Sequence, residues 1–178
     1  KKRVAYHEAG HATISWLVEH ASPLLKVTIV PRGKSLGAAW YLPEERQLTT
    51  TEQMLDEMCA TLGGRAAEQV IFNNISTGAL SDLETVTKRA QAMVTIYGLS
   101  PNIGNISYYD SSGQSEYNFG KPYSEETANK IDVEIKSIIE NQYDRAVQIL
   151  TDNKDKLDAL ATKLLEKEVI FREDLEEV

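Results

Sequence analysis

Two histidines four residues apart, in the string His7-Glu8-Ala9-Gly10-His11, constrain this chain more than any other feature. On a helix that spacing leaves the imidazoles about 40° apart in azimuth and one turn apart along the axis, so both reach one ion. Shuffling this composition produces such a string about 3 times in a thousand. The plain alternative, two ordinary helix histidines flanking a solvated Glu8, leaves the small Ala9 and Gly10 beside the site without a purpose. The string therefore predicts a zinc site on a helix, with Glu8 next to the ligands and turned away from direct coordination.

A zinc that works on substrates takes three protein ligands and keeps one position open. A third histidine six residues beyond the second falls at position 17, where the chain has Leu17, so that extended pattern is excluded. His20 sits at the expected helix end, where it caps a terminus or faces solvent. The remaining choice is a carboxylate from elsewhere in the fold. Asp82 is the best placed, because Ser76-Thr77-Gly78-Ala79-Leu80-Ser81-Asp82 reads as a tight turn into a helix that holds a side chain rigidly. Spacing alone leaves a second reading of Asp82 equally open, an acidic residue favoured by the helix dipole.

The 178 residues suit one large domain or two small ones. A net charge of −8 repels phosphate backbones and gives no polybasic patch for anionic lipid, so neither nucleic-acid binding nor direct membrane contact is expected. A mean hydropathy of −0.35 and the lack of any long apolar run exclude a membrane span within these residues. The single cysteine, Cys59, forms no internal disulfide and shares a stripe with Leu55, Met58 and Leu62, which makes it core rather than catalytic. The chain opens Lys1-Lys2-Arg3-Val4, already in a helical pattern and without a signal peptide, and is expected to be a piece of something longer.

Along the chain, Val4 to His20 predicts a first helix closed by Pro23. Leu25, Val27 and Ile29 alternate as a half-buried strand, Pro31-Arg32-Gly33 turns the chain, and Leu36 to Leu42 predicts a second strand. From Thr51 to Phe72 one apolar stripe predicts a helix, interrupted by a Gly63-Gly64 pair that needs a reason. A further helix carries Leu83, Val86, Ala90, Met93, Val94 and Tyr97, stopped by Gly98 and Pro101. Residues 105–109 predict a short strand, and 110–122 a functional or mobile loop. Ser124 caps a long helix whose apolar stripe continues to Ile149, and Leu157 to Leu165 give one more before Val169-Ile170-Phe171. The expected fold is mainly α with a small β-sheet (α+β): a catalytic part over 1–109, the loop, and a long-helix bundle over 123–178, all one domain.

The string HEAGH, the stretch Val27-Thr28-Ile29-Val30-Pro31-Arg32-Gly33, the segment Leu62-Gly63-Gly64-Arg65-Ala66-Ala67-Glu68 and the turn Ser76-Thr77-Gly78-Ala79 followed by Asp82-Leu83 together resemble the peptidase domain of the FtsH-type membrane-anchored AAA zinc proteases. The likeness runs in order over essentially the whole chain. It implies that His7, His11 and Asp82 bind one zinc ion per chain, and that Glu68 orients a ligand histidine. On its own Glu68 also reads as a surface charge paired with Arg65 on the same helix. The family commonly has Ser-Asn where this chain has Leu80-Ser81, a departure that alters local hydrogen bonding without removing the aspartate.

Zinc acidifies water and polarises a peptide carbonyl, so peptide hydrolysis needs no serine or cysteine nucleophile, and Glu8 is the base that takes a proton and returns it to the leaving amine. Gly37, Ala38, Ala39 and Trp40 form a strand with small residues against which an extended peptide can pair; an interior strand is the bland alternative, and the resemblance favours the edge. It further implies unfolded polypeptide substrates, a homo-hexamer, an ATPase module and membrane segment outside these residues, and a place at the cytoplasmic face of a bacterial inner membrane or, alternatively, at an organelle inner membrane. ATP acts only in the full-length protein, since no phosphate-binding loop occurs here. The rival readings are a non-catalytic zinc-binding assembly module of a ring complex, which has no use for Glu8, and an unrelated small metalloprotease, which leaves the Gly-Gly-Arg and Thr-Gly-Ala segments unexplained.

Overall fold

The computed structural model describes residues 1–22, 24–31, 37–41, 48–109 and 122–178. Its centre is helix α1 (Lys2–Leu17), buried without a break from Ala5 to Ser15. A helix covered on all sides needs small residues where its neighbours approach, and Ala5, Ala9, Gly10 and Ala12 supply them. The helix stops three residues before the expected His20, because Val18 turns extended and the His20 N–H bonds to the Asp56 carboxylate at 3.0 Å. Pro23, the expected stop, lies outside the described residues.

Strand β1 (Leu24–Thr28) is central in a three-stranded antiparallel sheet of order β2-β1-β3. Its register slips between Leu24 and Lys26, which turns both Leu24 and Val27 inward and leaves Leu25 46% exposed. The expectation that Leu25 is buried is corrected by that bulge, which breaks the two-residue period. Strand β2 (Ala38–Tyr41) pairs with β1 on one side and is an edge among the described residues. The third strand, β3 (Val169–Phe171), comes from the far end of the chain. The Arg32-Gly33 turn and the outer residues of the expected second strand, Leu36 and Leu42, fall outside the described residues.

The stripe expected as one helix over 51–72 is two: α2 (Thr51–Thr61), started by a Thr50/Gln53 capping box, and α3 (Gly63–Phe72). They meet at Leu62, and Gly63 and Gly64 open α3. A 3₁₀ turn (Thr77–Ala79), with the Ser76 hydroxyl accepting from the Gly78 N–H, leads into α4 (Leu80–Thr95). Tyr97 lies beyond its end and is mostly exposed, so it does not join the stripe. Residues 105–109 form no strand; the Tyr108 N–H only reaches the Thr95 carbonyl. Of the expected loop, 110–121 lie outside the described residues.

Ser124 caps α5 (Glu125–Asp152), as its position predicts, and α6 (Lys154–Lys167), β3 and α7 (Arg172–Glu176) follow. Leu157, Leu160 and Leu164 of α6 join Ile14, Ala66 and Ile170 in one core around α1 and the sheet. A second cluster, Met58, Leu62, Val86, Ala90 and Met93, is closed by Ile135, Ile138 and Ile139 of α5. These two cores clamp α1, α3 and the start of α4, the three pieces that carry the candidate metal ligands and their supports.

Candidate metal centre

His7 and His11 project from the same stripe of α1, with ring centroids 4.9 Å apart. The Nε2 atoms of both rings lie 3.2 Å from a single oxygen, Oδ2 of Asp82, which sits in the first turn of α4. Among the described residues this is the one group of three metal-capable side chains whose ligand atoms all lie within 4.8 Å of one another. His20 is not part of it. Its ring stands 3.8 Å from the exposed carboxylates of Glu19 and Glu52.

The break between α2 and α3 explains why both rings point this way. The chain interruption leaves the Ala60 carbonyl facing His11 Nδ1 at 2.9 Å, and brings the Glu68 carboxylate to His7 Nδ1 at 3.1 Å. A carbonyl only accepts, so His11 Nδ1 carries the proton and donates it; an ionised Glu68 imposes the same tautomer on His7. The glycines make the approach possible. A Cβ on Gly63 would stand 2.7 Å from the Gly10 carbonyl oxygen, and a Cβ on Gly64 would lie 2.5 Å from Cε1 of the His7 ring. Gly63 therefore lets α3 touch α1, and Gly64 cradles the ring.

With both Nδ1 atoms donating backwards, the two Nε2 lone pairs and the Asp82 carboxylate face one another. Such a set repels itself unless a proton or a cation lies between, and two imidazoles with one carboxylate are a donor set that zinc accepts. The residues present thus fit the ion that the HEAGH string implies. With protons alone, burial pulls the His11 imidazole down, but its hydrogen bond to Asp82 and the charges of Asp82 and Glu8 push it up to about 9. Burial works to raise the Asp82 carboxyl, and the two histidines outweigh it, holding it well below the usual carboxylate range.

Glu8 is 7% exposed between these ligands and the sheet. Burial raises its carboxyl, His11 and His7 draw it back, and Asp82 pushes it up again, leaving a net upward shift. Gly37, just before β2, packs against it, since a Cβ there would meet Glu8 Cγ at 3.0 Å and Val4 at 3.1 Å. At the other end of β2 the Ser15 hydroxyl donates to Tyr41 Oη at 3.3 Å. Strand β2 therefore runs alongside the α1 stripe of Val4, Glu8, His11 and Ser15, with Ala38, Ala39 and Trp40 between; Lys26 Nζ lies 4.5 Å from the Trp40 ring centroid.

Glu68, 1% exposed, does not pair with Arg65 among the described residues. It accepts from Arg3 Nη1 at 2.9 Å, from the Ser76 hydroxyl at 2.5 Å and from His7. Burial opposes its charge, yet the Ser76, Arg3 and His7 bonds hold its carboxyl below the usual range. Arg3, Ser76, the Ala60 carbonyl and Tyr41 are neighbours of the site that sequence reasoning missed. Cys59 is fully buried, and burial pushes its thiol up to about 11, in keeping with a core role.

Comparison with known proteins gives the same direction. The model of peptidase family M41 matches residues 1–178. The chain is 63% identical over 178 residues to an ATP-dependent zinc metalloprotease FtsH of Parabacteroides distasonis, covering all of this chain and 26% of that protein. It is 61% identical over 174 residues to the protein of the same name in Karelsulcia muelleri, covering 98% of this chain and 28% of the relative. It is also 50% identical over 175 residues to the mitochondrial inner membrane m-AAA protease component AFG3L2 of Mus musculus, covering 98% of this chain and 22% of the relative. The chain thus spans about a quarter of the length of these relatives.

Proposed function

The chain belongs to peptidase family M41, and from that premise we propose that it is the peptide-cutting part of a longer, ATP-dependent zinc endopeptidase. The observation that carries the reading is the convergence of His7, His11 and Asp82 on one point beside a buried, upward-shifted Glu8. His7 Nε2, His11 Nε2 and Asp82 would hold zinc. Bound there, zinc supplies Lewis acidity, acidifying water and polarising the scissile carbonyl.

The rest is done by the chain itself. Glu8, buried beside the ligands with its carboxyl shifted upward by desolvation, is suited to take a proton from water and pass it to the leaving amine. Glu68 and the Ala60 carbonyl keep both histidines in the tautomer that presents Nε2 to the ion, and their bonds prevent the rings from turning. The edge of β2 at Gly37, Ala38, Ala39 and Trp40 offers backbone groups to an extended peptide laid beside Glu8. Only unfolded backbone adopts that conformation. Delivery of substrate is therefore assigned to an ATPase module elsewhere in the protein, working as a homo-hexamer at a bacterial inner membrane or, alternatively, at an organelle membrane. Among the described residues no helix is long and apolar enough to cross a membrane.

The test is Glu8→Gln. It is expected to keep about one zinc per chain while cleavage of a flexible peptide falls by about a hundredfold or more. Undiminished cleavage by that variant refutes the role of Glu8. A wild-type chain that holds zinc, assembles and cuts nothing favours the assembly-module reading.

A further inference from the structure

Arg3, at the start of α1, reaches across to α3 and the segment that follows it. Its Nη1 donates to Glu68 Oε1 at 2.9 Å, its Nη2 to the Asn74 side-chain oxygen at 2.6 Å, and its guanidinium lies 4.5 Å from the Phe72 ring centroid. These contacts hold α3 and the start of the segment that joins it to the Asp82 turn.

Ser76 occupies the other side of the same carboxylate. Its hydroxyl has one proton, given to Glu68 Oε1, and a lone pair that accepts from Gly78 N–H at 3.2 Å in the turn before α4. The single hydroxyl therefore links the residue that aims His7 to the turn that delivers Asp82. With Oε1 held twice, the Glu68 carboxylate has one orientation left, and Oε2 faces His7 Nδ1. Unheld, a carboxylate rotates about its last torsion, which is broad, and His7 loses a fixed partner.

We infer that Arg3 and Ser76 are positioning residues of the metal centre: they clamp Glu68 Oε1 so that Oε2 orients His7, and Ser76 ties that orientation to the placement of Asp82. The inference rests on the zinc reading given above. Neither residue touches the ion or the substrate, and both act through Glu68.

The experiment measures zinc affinity of the 178-residue chain by titrating zinc alone against a competing chelator. It uses wild type, Arg3→Ala, Ser76→Ala and Ser76→Thr, each also in a Glu68→Ala background, with circular dichroism to verify the fold. Arg3→Ala and Ser76→Ala are expected to weaken zinc about tenfold, and Ser76→Thr, which keeps the hydroxyl, to return within about twofold of wild type. In the Glu68→Ala background Arg3→Ala is expected to change affinity by less than about twofold, because the group it acts through is gone. Arg3 is partly exposed, so its truncation leaves the core intact and carries the test even if Ser76→Ala folds poorly. Unchanged affinity in Arg3→Ala, an equal loss with and without Glu68, or no rescue by threonine overturns the inference. A wild-type chain that takes up no zinc overturns the zinc reading and this inference together, and is visible before any variant is made.

Discussion

Replacing Gly64 with alanine separates the two jobs of the glycine pair. The new Cβ would sit 2.5 Å from Cε1 and 2.6 Å from Cδ2 of His7, where ordinary carbon contacts lie at about 3.5–4.0 Å. The ring must withdraw by about 1 Å. Its 3.1 Å bond to Glu68 then stretches beyond hydrogen-bonding range, and Nε2 leaves its place 3.2 Å from Asp82. Overpacking of this kind costs about 1–3 kcal/mol, and alanine returns about 1 kcal/mol in a helix, so the net loss of stability is about 0–2 kcal/mol. Zinc affinity should fall far more, by about tenfold to a hundredfold. Gly63→Ala is the control: its Cβ meets the Gly10 backbone first, with Ile14 Cδ1 next at 3.0 Å, and should lower the melting temperature while His7 keeps its partners. Chelator competition and thermal unfolding on both variants read the two effects. A Gly64→Ala chain that binds zinc as tightly as wild type refutes the cradle.

Asp82→Ala should lower zinc content after dialysis against a mild chelator, and His20→Ala should not; the reverse order, measured by metal analysis, removes Asp82 from the ligand set. The metal-free chain should lose stability on the alkaline side. His11, raised from 6.5 to about 9, stabilises the fold fully below about pH 6.5 and ceases to as pH rises through about 9; Asp82, depressed from 3.8, contributes above that value and less as pH falls. Melting temperatures from pH 4 to 10 should therefore decline between about 6.5 and 9, and saturating zinc should flatten that decline; a rise over the interval contradicts the assignment. The isolated chain should cleave a permanently unfolded protein and spare a stably folded one, with or without ATP; folded-substrate degradation that increases on adding ATP would place an energy-using function in these residues.

What a sequence displays depends on how far apart the interacting residues are. Helices α4, α5 and α6 repeat an apolar stripe every three or four residues, and α1 carries small residues around its histidine pair, so each is readable from its own span. Strand β3 was not, because three residues carry no period and their partner, β1, lies about 140 residues earlier. The bulge that buries Leu24 in place of Leu25 is likewise set by pairing with Trp40 and Tyr41, not by anything local. Gly63-Gly64 was visible as an interruption without a cause, since the cause is the backbone of Gly10 and the ring of His7 on another helix.

The same distinction orders the site. His7 and His11 are legible because their geometry is that of one helical turn, whereas spacing alone leaves Asp82 between two readings, because its contacts span more than seventy residues. Arg3 gives no local signal, because its contacts with Glu68 and Asn74 join positions 65 and 71 residues apart. Residues that fit their local surroundings reveal nothing about distant partners. The carboxylate that Arg3 holds is the one that fixes His7, so its tie to the site runs through a partner on another helix and becomes visible only once the two helices are packed together.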